Sequence, residues 1–101
     1  MKICIIIPVY NEEKNIGTLI EKLRQRQLDT IVINDGSNDG TVAVARQAGA
    51  DHILSFPRNR GLAAAFSAGI ETAALLGADV ILNTDADNQY DAGDIPLLLA
   101  P

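Results

Sequence analysis

No lysine or arginine occurs after residue 60 of this 101-residue chain, whereas six of its 13 acidic residues lie beyond that point. The resulting net charge of −5 argues against nucleic acid or an anionic membrane surface as partner. Tryptophan is absent, and cysteine and histidine occur once each. One cysteine permits neither a disulfide framework nor a zinc set within the chain. Cys4 lies in an apolar run and reads as a reduced core residue, as suits a cytoplasmic protein. His52 reads as structural rather than catalytic. No apolar run approaches the ~20 residues of a membrane span. The opening Met1-Lys2-Ile3-Cys4-Ile5-Ile6-Ile7-Pro8 has one basic residue and too short an apolar stretch for a signal peptide. At this length the chain bounds one small domain with an adequate core.

What is present is organised around residues 80–91, Val-Ile-Leu-Asn-Thr-Asp-Ala-Asp-Asn-Gln-Tyr-Asp. Val80, Ile81 and Leu82 form a short buried-strand pattern, and the polarity then reverses abruptly. Carboxylates one residue apart after such a strand stand at the carboxyl edge of a sheet, where open α/β sheets bind ligands. Alternation along extended backbone aims Asp85 and Asp87 to one side. Like charges that close favour a neutralising cation. An oxygen-only set suits a hard divalent ion, Mg²⁺ or Mn²⁺. A solvated turn in which Asp91 or Asp94 caps a following helix is the alternative. The acidic half, with no counter-charge of its own, fits either a metal site or an exposed acidic face.

From the start, residues 3–9 are a continuous β-branched run, the mark of a strand buried on both faces. Asn11 is an expected N-cap for a helix running to about residue 27, with Glu12 and Glu13 at its positive end. Ile16, Leu19, Ile20 and Leu23 form its apolar stripe. Residues 30–34 are a second strand, and 35–40 a turn rich in Asp-Gly. Residues 41–48 are a short helix closed by Gly49. A weak edge strand over 51–55 and a loop over 57–61 follow. Residues 62–76 are an Ala-rich helix that Gly77 stops, with Leu62, Phe66, Gly69, Ile70, Ala73 and Leu76 on one face. Gly69 costs about 1 kcal/mol against Ala in mid-helix and implies close approach to a neighbouring backbone, that of the sheet. A last helix is expected from near Asp94.

Alternating strands and helices specify a parallel sheet with right-handed crossovers. The expected fold class is α/β, a three-layer Rossmann-like parallel sheet of strand order 3-2-1-4. Residues 8–12, 35–37 and 85–89 then converge on one crevice between the first and fourth strands. With no further strand expected to complete the sheet, residues 1–101 read as the front half of a larger domain. Such a chain exposes a sheet edge and an apolar face, and self-association through one of them is expected.

Four blocks occur in order: Pro8-Val9-Tyr10-Asn11-Glu12-Glu13, Asn34-Asp35-Gly36-Ser37-Asn38-Asp39-Gly40-Thr41, Asn59-Arg60-Gly61-Leu62 and Asp85-Ala86-Asp87-Asn88-Gln89. Together the sequence resembles the family 2 glycosyltransferases, and most of all their polyprenyl-phosphate, dolichyl-phosphate mannosyltransferase-like branch. The resemblance spans essentially the whole chain but only the nucleotide-binding half of such an enzyme, which has an A-type glycosyltransferase fold. It implies that Pro8, Tyr10 and Glu12 line a nucleoside pocket, and that Ile33 and Asp35 hold the base. It further implies that Asp85, with Ala86 beside it, contacts the sugar or ribose. Asp87 and Gln89, with Asp85, would hold Mg²⁺ or Mn²⁺ on the diphosphate.

The implied partners are a nucleotide-diphosphate sugar, GDP-mannose or UDP-glucose, and a polyprenyl phosphate acceptor met at the cytoplasmic face of the membrane. The implied reaction moves a hexose with inversion. An anionic phosphate acceptor needs no strong general base, and no residue is assigned to that role.

Plainer roles stand beside these. Pro8 can simply end a strand, Glu12 simply favour a helix start, and Asp35 simply begin a turn. Asn59 and Gly61 read as caps of the long helix. Arg58 and Arg60 are the cations nearest the crevice, and Asp79 reads as a strand start. An aspartyl-nucleophile phosphatase places its Asp-x-Asp on the first strand, not the fourth. A sugar nucleotidyltransferase carries a Gly-rich basic loop where Pro8-Val9-Tyr10 stands. A nucleotide-sugar-binding lobe without catalysis is the remaining alternative.

Overall fold

The computed structural model describes residues 1–84 and strand residues 97–99. Its elements are β1 (Ile3–Val9), α1 (Ile16–Gln25), β2 (Asp29–Asn34), α2 (Thr41–Ala48), β3 (His52–Ser55), α3 (Leu62–Leu75), β4 (Val80–Asn83) and β5 (Leu97–Leu99). The sheet runs β3-β2-β1-β4-β5. Its first four strands are parallel in the expected order, with Ile6 of β1 opposite Ile31 of β2 and Asn83 of β4.

β1 is central, so successive isoleucines supply both faces of the sheet. Ile5, Ile7 and Val9 pack with Val32 against Ile16, Leu19, Ile20 and Leu23 of α1 and Ala45 and Ala48 of α2. Cys4, Ile6, Ile31, Ile33 and Ile81 face Ala65 and Ala73 of α3. Full burial of an isoleucine side chain is worth roughly 1.5–3 kcal/mol. Ile5, Ile6, Ile7, Ile31 and Ile33 are all at 0% exposure, so these two strands contribute much of the fully buried apolar surface. Burial also pushes the Cys4 thiol pKa up, so the thiol stays protonated and unreactive.

The last expected helix is corrected. Leu97–Leu99 form a strand antiparallel to β4, with Ile81 opposite Leu98, so a fifth strand does extend the sheet. Three consecutive leucines carry no period that separates strand from helix. Pairing along the open side of β4 supplies backbone partners for this segment.

α1 also starts later than expected, at Ile16 after Asn15. Asn11 is not its cap, because it sits in the left-handed region at φ 53°. Its amide is spent elsewhere: Asn11 Oδ1 accepts the Asn38 N–H at 2.8 Å. The turn before the helix is closed instead by the Glu12 carbonyl, which accepts the N–H groups of Asn15 and Ile16.

The α3 stripe is corrected in register. Its buried residues are Ala65, Gly69 and Ala73, while Leu62 is 70% exposed. A Cβ at Gly69 would collide with the Ile6 side chain. Small residues therefore let α3 lie close on the sheet, with side chain rather than backbone as the neighbour. Asp79 anchors the start of β4, its carboxylate accepting the Lys2 N–H at 2.7 Å and its N–H donating to the Lys2 carbonyl at 2.8 Å.

Candidate functional site

The strand order reverses beside β1: β2 follows on one side and β4, three strands later in the chain, lies on the other. Crevices at such switch points, beyond the carboxyl ends of the strands, are where open α/β sheets place ligands. A cavity of about 350 Å³ opens there, lined by Pro8, Val9, Tyr10, Glu12, Asp35, Asn59, Gly61, Leu62 and Ala65. Pro8 and Val9 close β1, and the strand runs one residue past the proline, with Val9 opposite Asn34 of β2. Tyr10, 45% exposed, is among the residues that line the cavity.

The loops around this cavity are tied to one another by side chains. Asn11 N–H donates to Ser37 Oγ at 2.9 Å, and Ser37 N–H to Asn34 Oδ1 at 3.0 Å. Glu12 N–H donates to Thr41 Oγ1 at 2.9 Å, while its carboxylate accepts from Asn15 Nδ2 at 3.1 Å. Glu13 reaches the start of α2 and accepts the Gly40 N–H at 3.1 Å. Asp39 accepts from the Thr41 N–H at 3.0 Å and from the Thr41 hydroxyl. The hydroxyl bond, first among its causes, holds the Asp39 pKa below the usual carboxylate value. The first two loops are thereby fixed relative to each other before any ligand arrives.

Asp35 fixes the third. It is 5% exposed, yet it lines the cavity. Its carboxylate accepts the Arg60 N–H at 2.6 Å through Oδ1 and the Gly61 N–H at 2.9 Å through Oδ2. Its carbonyl accepts from Asn59 Nδ2 at 3.2 Å, and its N–H donates to the Val9 carbonyl at 2.8 Å. Gly36 follows at φ 77°, where a Cβ would lie 2.5 Å from the Arg58 carbonyl carbon. Only glycine fits so close to another backbone in that conformation. The Arg60 guanidinium lies 4.8 Å from the Phe56 ring centroid, a cation–π distance.

Of the expected site residues, Pro8, Tyr10, Glu12 and Asp35 come together around one cavity. Ile33 does not join them. It pairs with Pro8 in the sheet but is fully buried in the core facing α3. Asp85, Ala86, Asp87 and Gln89 lie outside the described residues. Among the described residues, no three His, Cys, Asp or Glu side chains could hold a metal ion. β4 ends at Asn83 beside Ile6, and the Thr84 N–H donates to the Ile6 carbonyl at 3.2 Å. The strand therefore points its carboxyl end toward the same edge as Pro8.

Asn59 does not cap α3, since its amide goes to Asp35; Gly61 is the N-cap. Sequence reasoning leaves Asn59, Gly61, Leu62 and Ala65 out of the pocket. The signal is present in the block Asn59-Arg60-Gly61-Leu62, which has no reason to adjoin Asp35 unless the third loop folds over the second.

Comparison with known proteins points the same way. The family model for glycosyl transferase family 2 matches residues 4–101. Dodecaprenyl-phosphate galacturonate synthase of Rhizobium johnstonii is 32% identical over 99% of this chain and 32% of its own length. Polyprenol monophosphomannose synthase of Mycolicibacterium smegmatis is 33% identical over 94% of this chain and 38% of its own. Glucosyl-3-phosphoglycerate synthase of Mycobacterium tuberculosis, solved with Mg²⁺ and uridine diphosphate, superposes with a TM-score of 0.69 at 25% identity. That match covers 84% of this chain and 33% of the other. The chain spans less than half the length of the curated relatives it matches, from 32% to 46%. With the parallel 3-2-1-4 sheet, the switch-point cavity and a family match over nearly its whole length, the chain belongs to glycosyl transferase family 2.

Proposed function

We propose that the protein carrying this chain is a divalent-metal-dependent, inverting glycosyltransferase that moves a hexose from a nucleotide-diphosphate sugar to a polyprenyl phosphate at the cytoplasmic face of a membrane. Residues 1–101 are its nucleotide-sugar-binding part. The observation that carries this reading is the cavity at the switch point, with Pro8, Tyr10, Glu12 and Asp35 on its wall. Two relatives named for polyprenyl-phosphate products support the acceptor class. No helix among the described residues is long and apolar enough to cross a membrane.

In this reading Tyr10 stacks on the nucleoside and Asp35 accepts from the base. Glu12, held by Asn15, borders the ribose. The oxygen donors Asp85, Asp87 and Gln89 have the chemistry to hold Mg²⁺ or Mn²⁺, which when bound would offset charge growing on the departing diphosphate. An acceptor phosphate oxygen bonds to the anomeric carbon from the face opposite the diphosphate, whose bond to that carbon breaks. The attacking oxygen is already anionic, so no side chain has to remove a proton from it.

The test is transfer of labelled sugar from GDP-mannose or UDP-glucose to a polyprenyl phosphate by the whole protein and by its Asp87→Ala variant. Lipid-linked product from the first, reduced at least about a hundredfold in the second, is the expected result. Transfer only to water or to a soluble acceptor removes the polyprenyl reading.

A further inference from the structure

The outer side of α3 bears on how an acceptor reaches the cavity, a point that rests on the polyprenyl-phosphate reading above. Leu62, Phe66 and Ile70 recur at intervals of four, which places them on one stripe of the helix over two turns, about 12 Å. With Ala63, Ser67 and Glu71 they line an open groove of about 800 Å³. Leu62 also lines the switch-point cavity, so groove and cavity meet at the first residue of α3. That leucine is 70% exposed. The charges along this line are ordered. Arg58 and Arg60 are exposed in the loop that enters α3 at the cavity end. Within α3 the one charged residue is Glu71, at the far end of the groove. Among the described residues neither arginine has a carboxylate within ion-pair distance. Arg60 does lie over the Phe56 ring, a contact that attracts a cation without neutralising its charge.

We infer that this groove docks the isoprenoid tail of the acceptor lipid, with the phosphate at the Arg58–Arg60 end and the tail running along α3 toward Glu71. Reading away from the cavity, the surface goes from cations to an apolar stripe to an anion. An amphiphile with an anionic head and an apolar tail matches that order. A soluble phosphate would leave the stripe unused, and a neutral apolar ligand would leave the arginines unused. The direction follows from charge, because a phosphate at the other end would meet the like charge of Glu71. It also follows from the reaction, because the phosphate has to arrive where the sugar is held. Burial of the tail is non-directional and grows with the apolar area covered. The groove therefore favours a long acceptor over a short one that carries the same head.

The experiment compares two acceptors with the whole protein in one detergent. These are a polyprenyl phosphate and dimethylallyl phosphate, the same head on a single isoprene unit. Phe66→Ser removes the centre of the stripe. Ser67→Glu, at an exposed position, sets a charge in the groove without cutting into the core. Each variant is expected to raise KM for polyprenyl phosphate at least about tenfold. Its kcat, its kcat/KM for dimethylallyl phosphate and its donor affinity by calorimetry are expected to stay at wild-type values, with the fold verified by the unfolding transition. Arg58→Ala is expected to raise KM for both acceptors by a similar factor. If the wild type uses polyprenyl phosphate and neither groove variant changes its KM, tail docking is overturned and the acceptor reading stands. A fall in sedimenting mass in those variants would then assign the face to a second copy of the chain. Equal losses with both acceptors also overturn tail docking, since they report damage to the cavity. If the wild type transfers to neither prenyl phosphate, both this inference and the polyprenyl reading fall.

Discussion

Asp35 is where a single residue matters most. It is nearly buried, and its carboxylate satisfies two main-chain donors of another loop. Asp35→Ala removes two charge-assisted bonds and leaves both donors unpaired, so denaturant unfolding should show a loss of about 2–4 kcal/mol. A loss under about 0.5 kcal/mol would mean that water replaces the carboxylate without penalty. Asp39 behaves differently. Its pKa is lowered by the Thr41 hydroxyl, so the folded state binds its proton less readily than the unfolded chain. Its contribution is complete above the ordinary carboxylate pKa of about 3.9 and is lost as pH falls through the lower folded value. An NMR titration should find Asp39 among the last carboxylates to protonate as pH falls, and Thr41→Val should raise its pKa toward the ordinary range, the main-chain bonds remaining.

At the scale of elements, α3 depends on its small residues. A Cβ at Gly69 meets the Ile6 side chain, so Gly69→Ala should destabilise by about 1–3 kcal/mol through overpacking. Ile6→Ala also destabilises alone, by opening space. Combined, the two should cost less than their sum, and strict additivity in that double-mutant cycle would show that the two sites do not touch. The elements also show what is legible in the sequence. Strands of β-branched residues and the strand order are readable, because a buried parallel strand needs an unbroken apolar run and the crossover rule leaves few orders. The resemblance implies Ile33 as a base contact, yet its side chain lies in the core on the side facing α3. Asn11 looks like a cap in one dimension. Its partner Asn38 lies 27 positions away, and no local pattern carries that information. The strand Leu97–Leu99 is hidden for a related reason, since its partner is β4 and three leucines state no preference.

For the whole molecule, the outer side of α3 sets behaviour in solution. Leu62, Ala63, Phe66, Ser67, Ile70 and Glu71 line a broad apolar surface, contiguous through Leu62 with the cavity. Apolar surfaces of this kind associate, and sedimentation of the 101-residue chain should give a mass that rises with concentration. A constant monomer mass would contradict that, and Leu62→Lys with Phe66→Lys should lower any association found. The first three loops, tied by Asn11, Glu13, Asp35 and Asn59, form a preorganised half of a site, to which residues 85–89 would bring the metal ligands.

A metal-assisted nucleotide-sugar site stands at the centre of these expectations. Its most direct test is calorimetric titration of UDP-glucose and GDP-mannose into the protein with Mn²⁺, then with EDTA, and again for Asp87→Ala. Saturable binding in Mn²⁺ that weakens at least about tenfold with EDTA and with Asp87→Ala is the predicted result. Equal binding under all three conditions would contradict it.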